Sequence, residues 1–109
     1  MITRPRHKFK AVPTSIDGIR FASKKEASYF AFLTNQKNAG KVLFFLRQVP
    51  FHLPGGVKYV ADFQVFYSDG SVQFIDVKGY QTSEFKMKKK MVEDLYPVEI
   101  VIVTDVLRF

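Results

Sequence analysis

The chain has 109 residues, 47% of them hydrophobic and twelve of them phenylalanine, which suits one folded domain with a real core and excludes a disordered segment. Its net charge of +7, from 17 basic against 10 acidic residues, favours a polyanionic partner. No cysteine is present to build a disulfide framework or a thiolate metal site, and neither a signal-peptide core nor a membrane-length apolar run is visible, so a soluble cytoplasmic protein is expected.

Residues 1–20 read as a basic N-terminal arm carrying Arg4, Arg6, Lys8 and Lys10 and interrupted by Pro5 and Pro13; residues 21–109 read as the single domain. Ser23 opens a helix that runs to about Asn38, with Gly40 placed to terminate it. A β-rich run over residues 42–53 is turned by Pro54-Gly55-Gly56 into a second run ending at Tyr67. Ser68-Asp69-Gly70 then carries a hairpin-turn signal into a third run over residues 72–78. Gly79 breaks out, Thr82 or Ser83 caps a second helix reaching about Tyr96, Pro97 stops it, and residues 98–103 form a buried-type strand. The order helix, three strands, helix, strand predicts an α/β protein. Its mixed four-stranded sheet would carry helices on both faces, giving three α/β/α layers.

Two of the strands carry an acid where an apolar residue is expected. Asp62 lies in Tyr59-Val60-Ala61-Asp62-Phe63, and Asp76 in Phe74-Ile75-Asp76-Val77-Lys78. A carboxylate in such a run costs desolvation energy unless a cation or a hydrogen-bond donor meets it. The hairpin turn brings the two acids near enough to share a divalent ion, and Lys78, two residues beyond Asp76, projects from the same face. Two carboxylates and an ammonium on one patch suit metal-dependent phosphodiester hydrolysis.

The helices repeat the anomaly. Glu26 falls near the middle of the apolar face of the first helix, between Phe30 and Leu33. A capping box, Ser23-x-x-Glu26, is one explanation and a functional carboxylate the other; both hold if the helix start abuts the site. On the second helix Phe85, Met87, Met91, Val92 and Leu95 define an apolar arc centred near Lys88, with Lys86, Lys89 and Lys90 facing solvent. Lys88 then either reaches over the sheet or pairs with Glu84 at i,i+4 spacing. His7 and His52 lack partners at metal-ligand spacing and are read as an arm residue and a strand residue.

Glu26, Asp62, Asp76-x-Lys78 and Lys88, in that order on helix, strand, strand and helix, resemble the PD-(D/E)XK nuclease superfamily with its restriction-endonuclease-like fold. The nearer resemblance is to small phage and prophage proteins described as Holliday junction resolvase-like. It is carried by residues 17–27, by Tyr59-Val60-Ala61-Asp62-Phe63, by Asp76-Val77-Lys78-Gly79-Tyr80 and by residues 85–90, and it covers about residues 8–104. Ala61 stands where the superfamily pattern has proline, which supplies backbone geometry and no ligand.

The resemblance implies a Mg²⁺- or Mn²⁺-dependent endonuclease. Asp62, Asp76 and the Val77 carbonyl would ligate the ion, Glu26 would bind it directly or through water, and Lys78 would orient the attacking water or neutralise the phosphorane. Lys88 would contact a neighbouring phosphate, while Arg4, Arg6, Lys8, Lys10, Lys86, Lys89 and Lys90 add backbone affinity. Branched or duplex DNA is the expected substrate and other phage DNA-processing proteins are candidate partners; symmetric junction cleavage needs a homodimer. The competing expectation is a nucleic-acid-binding or phage accessory protein on an inactive nuclease scaffold.

Overall fold

The computed structural model describes residues 14–16 and 18–104. Arg4, Arg6, His7, Lys8 and Lys10 lie outside those residues. Strands β1 (Thr14–Ile16) and β2 (Ile19–Phe21) precede helix α1 (Lys24–Asn38), followed by β3 (Val42–Leu53), β4 (Val57–Tyr67), β5 (Val72–Val77), helix α2 (Ser83–Leu95) and β6 (Ile100–Val103). The main sheet runs β3-β4-β5-β6, antiparallel for the first three strands and parallel between β5 and β6. This is the mixed four-stranded α/β arrangement that the element order predicts.

One element differs from expectation. The end of the basic arm is a two-stranded antiparallel hairpin, β1 to β2, with Gly18 in its turn at φ 79°. Three-residue strands are too short for alternation to register in the sequence. The hairpin delivers Phe21 into the core, where its ring meets Phe30 at 5.0 Å.

Local chemistry sets the helix limits. The Ser23 hydroxyl accepts from the Glu26 amide at 3.0 Å and starts α1. At the other end Gly40 adopts φ 82° and the Lys41 and Gly40 amides donate to the Gln36 and Lys37 carbonyls. That pair of bonds is a Schellman termination, which needs the left-handed residue glycine supplies. Thr82 caps α2 through the Phe85 amide at 3.0 Å. After α2, the Val98 amide turns back to the Tyr96 carbonyl, so β6 begins only at Ile100.

The core has two parts. Tyr29 and Leu33 of α1 pack on Val42, Phe63, Val65, Ile75 and Val77. Phe85 and Val92 of α2 pack on Phe51, Leu53, Tyr59, Ala61 and Ile100. Phe63 and Ala61 both carry odd numbers on one strand, yet they serve different clusters. An untwisted strand would put them on one face, so the β3–β4 hairpin coils as it passes from beneath α1 to beneath α2. The β4–β5 ladder ends at Phe63↔Ile75, just where β4 makes that passage.

Helix α2 is rotated from the expected arc. Phe85 and Val92 are buried, but Met87 and Leu95 are 57% and 54% exposed. The inward stripe runs through Phe85, Val92 and Tyr96, roughly 60° around the helix from the centre predicted at Lys88. Lys88 and Lys89 consequently flank this stripe on opposite sides, both half-buried. Lys89 is therefore no outward-facing residue like Lys86 and Lys90. It pairs with Glu93 at 3.0 Å, and Glu93 also accepts from the Ile100 amide at 2.7 Å, tying α2 to the start of β6.

Candidate active site

Asp62 and Asp76 meet where the β4–β5 ladder stops. Continuing the register by one step would place them directly opposite each other, with side chains on the same face. Instead of another ladder rung, each carboxylate takes an amide from the facing strand. The Asp62 amide donates to Asp76 Oδ1 at 3.0 Å, and the Val77 amide donates to Asp62 Oδ2 at 2.8 Å. The Val77 amide is thus what meets Asp62.

These bonds satisfy only part of the pair. Asp76 is 1% exposed, and its Oδ2 is buried without a hydrogen-bond partner among the described residues. Burial pushes the Asp76 carboxyl up to about 6, against the lowering effects of the Asp62 amide and the Lys78 charge. Asp62 is also raised by burial, with the Val77 amide, Lys78, Gln48 and Arg47 opposing the shift. Lys78 therefore stands within electrostatic reach of both acids. Its ammonium lies 4.8 Å from the centre of the Phe85 ring, and none of the ion pairs among the described residues joins it directly to either acid.

Glu26 enters from the first turn of α1 and is buried. Only half of a capping box forms: Ser23 caps the helix, but the Glu26 carboxylate turns towards β3. Its Oε2 accepts from Gln48 Nε2 at 3.0 Å and from Arg47 Nη2 at 3.4 Å. Gln48 also lowers the Asp62 pKa, so its side-chain amide lies between two carboxylates that repel one another. Desolvation and that repulsion raise the Glu26 pKa, while Arg47 opposes the rise. The Arg47 guanidinium lies 4.4 Å from the centre of the Phe21 ring, so the β1–β2 hairpin backs the cation that holds Glu26.

Arg47 and Gln48 carry no motif, and the sequence reading missed both. Gln48 is the sole non-glycine residue with positive φ among the described residues, at 54°. Such a conformation costs about 1–2 kcal/mol for a residue with a Cβ. It falls opposite Asp62 in the β3–β4 register, between the pairs Arg47↔Phe63 and Val49↔Ala61. A glutamine in a strand gives no sign of this, although an amide in a run of apolar residues was a weak signal.

Lys88 is bound to Glu84 at 2.9 Å, the i,i+4 alternative, and lines a cleft of about 200 Å³ together with Lys58, Tyr59, Lys78 and the first turn of α2. Lys86 and Lys90 are exposed, and His52 is an exposed strand residue whose carbonyl accepts from Tyr96 Oη at 2.7 Å.

The structure brings Asp62, Asp76 and Lys78 together and places Glu26 beside Asp62 and Gln48, whereas Lys88 shares a cleft with Lys78 and pairs with Glu84. Among the described residues no three His, Cys, Asp or Glu side chains converge as a metal-binding group. The pair Asp62 and Asp76 nonetheless has the chemistry of a hard-cation site: oxygen donors only, held in place by backbone amides, with one buried oxygen unspent. Among the described residues no helix is long and apolar enough to cross a membrane. No curated protein matches the chain. Residues 6–108 match a family described as "protein of unknown function (DUF1064)", and with nearly its whole length inside that match the chain belongs to this family.

Proposed function

We propose that the protein is a metal-dependent phosphodiesterase acting on DNA, a nuclease of the PD-(D/E)XK type built on a three-layer restriction-endonuclease-like arrangement. The observation that carries this reading is the convergence of Asp62 and Asp76 at the open end of the β4–β5 ladder, with an unpartnered buried oxygen on Asp76 and Lys78 at their side. Asp62 and Asp76 are the residues that would hold Mg²⁺ or Mn²⁺. The bound ion would supply Lewis-acid stabilisation of the phosphate and a more acidic water.

The chain's own groups divide the remaining work. Lys78 orients the attacking water and offsets negative charge as it gathers on the phosphate. Glu26, held by Arg47 and Gln48, keeps a carboxylate facing Asp62. The excess of basic residues draws the polyanion in, an effect that weakens with salt. Branched DNA is the substrate on which this reading is first tested, and cleavage at two symmetric positions would require two copies of the chain.

A second reading, a nucleic-acid-binding protein without turnover, is favoured by the lack of a three-residue metal-binding group among the described residues. Cleavage assays on branched, duplex and single-stranded DNA with Mg²⁺, Mn²⁺ or EDTA decide between them. The nuclease reading requires metal-dependent products that vanish in Asp76→Asn, Asp62→Asn and Lys78→Ala proteins that remain folded. Binding with no cleavage in any metal would establish the second reading.

A further inference from the structure

The cleft beside the carboxylate pair has features the catalytic reading leaves unused. Lys58 and Tyr59 come from β4, Lys78 from the end of β5, and Thr82, Glu84, Phe85 and Lys88 from the start of α2. Three lysines thus face one glutamate. Tyr59 is 4% exposed, and its hydroxyl is buried with no hydrogen-bond partner among the described residues. A buried phenol left in this state is costly, so a missing partner is the expected explanation. The first turn of α2 opens on the same cleft, and amides at a helix start favour an anion. At about 200 Å³ the space is smaller than the 300–1,000 Å³ usual for small-molecule sites, which fits a compact oxyanion better than a nucleobase or a cofactor.

We infer that this cleft is a phosphate-binding site formed by Lys58, Lys88 and the Tyr59 hydroxyl, with Lys78 as the wall it shares with the carboxylate pair. Glu84 is its counterweight. The Glu84 carboxylate is 69% exposed and pairs with Lys88 at 2.9 Å, a surface contact weak enough for an arriving phosphate to displace. The ligand chemistry is a phosphate oxyanion, supplied either by the backbone of a polynucleotide or by a terminal phosphate. The inference rests on the nuclease reading only for the idea that the polymer is DNA; the anion site itself requires no cleavage.

The test is calorimetric and NMR titration of the full chain in EDTA, using inorganic phosphate, a short oligothymidylate without a terminal phosphate, and the same oligomer with a 5′-phosphate. Phosphate should shift the Nζ signals of Lys58, Lys78 and Lys88. Lys58→Ala and Lys88→Ala should weaken binding about tenfold each, the change expected when a charged donor is lost. Tyr59→Phe should weaken it about threefold without lowering the melting temperature, and Glu84→Gln should tighten it. Equal binding of the two oligomers identifies backbone phosphate as the source, and a preference for the 5′-phosphorylated one identifies strand ends. Absence of lysine shifts, or binding that is indifferent to Lys58→Ala and Glu84→Gln, overturns the inference. Because EDTA is present throughout, these outcomes are independent of whether the protein cleaves DNA with metal.

Discussion

Gln48 donates its side-chain amide to Glu26 at 3.0 Å while its own backbone is held at φ 54°. A strained residue whose side chain holds one acid beside another is most simply explained if the bridge to Glu26 is worth the strain. Substitution separates the two. Gln48→Ala keeps the strain and loses the bridge, whereas Gln48→Gly loses both. In urea melts Gln48→Gly should be more stable than Gln48→Ala by about 1 kcal/mol, the difference in left-handed cost. Equal stabilities would mean that the β3 backbone relaxes at this point. If the protein is the proposed nuclease, both variants should also cleave more slowly, since Glu26 is left with Arg47 alone.

The buried acids make stability fall as pH rises. Asp76 titrates at about 6 in the folded chain against an ordinary value of 3.8, so between those values the folded protein binds more protons than the unfolded one. Its contribution is most favourable below about pH 4 and is lost as pH passes through about 6, a change of roughly 2–3 kcal/mol. Asp62 and Glu26 shift in the same direction. The check is the pH dependence of unfolding in EDTA: wild type should lose stability relative to Asp76→Asn between pH 4 and about 7. A constant difference across that range would show that Asp76 is not the titrating group.

Metal should reverse the penalty at neutral pH. An ion that binds only the folded chain raises its melting temperature by an amount that grows with the logarithm of its concentration above the Kd. The rise should be large in wild type, smaller in Asp62→Asn and nearly absent in Asp76→Asn, whose unspent oxygen is gone. Equal rises in all three, measured by scanning calorimetry, would place the ion elsewhere.

Glu93 is expected to be structural. It accepts from the Ile100 amide at 2.7 Å and from Lys89 at 3.0 Å, and Ile100 is buried. Glu93→Ala should destabilise the fold by about 1–2 kcal/mol because it orphans a buried amide. Lys89→Ala should cost only a few tenths of a kcal/mol, as a half-exposed ion pair does. If Lys89→Ala proves as costly as Glu93→Ala, the ion pair rather than the amide bond anchors α2.

Turn and cap chemistry made most of the fold legible in the sequence. Ser23, Gly40, Pro54-Gly55-Gly56, Asp69-Gly70 and Thr82 act locally, so each marks its boundary without reference to the rest of the chain. Asp62 and Asp76 were visible because a carboxylate between apolar neighbours breaks alternation. Arg47 and Gln48 were not, because their role comes from a backbone kink that only the β3–β4 pairing imposes. The rotation of α2 was hidden for a similar reason. Met87 and Leu95 are as apolar as Phe85 and Val92, and what decides between them is the coil of the hairpin beneath. Aromatics posed the same difficulty: Phe44 stacks on Phe66 at 4.3 Å and stays 44% exposed, whereas Phe63 is buried, and nothing in their spacing tells them apart.

The coiled passage of β3 and β4 from one helix to the other has a consequence for how the protein opens. Because the same two strands serve both hydrophobic clusters, neither cluster can melt while leaving the other its full set of partners. The described region should therefore unfold as a single cooperative unit, with slowest-exchanging amides shared between Phe63 beneath α1 and Ala61 beneath α2. The acids sit at the crossing point of that unit. Separating Asp62 from Asp76 requires opening strands that both clusters share, which keeps a charged, desolvated pair in register despite its own unfavourable energy.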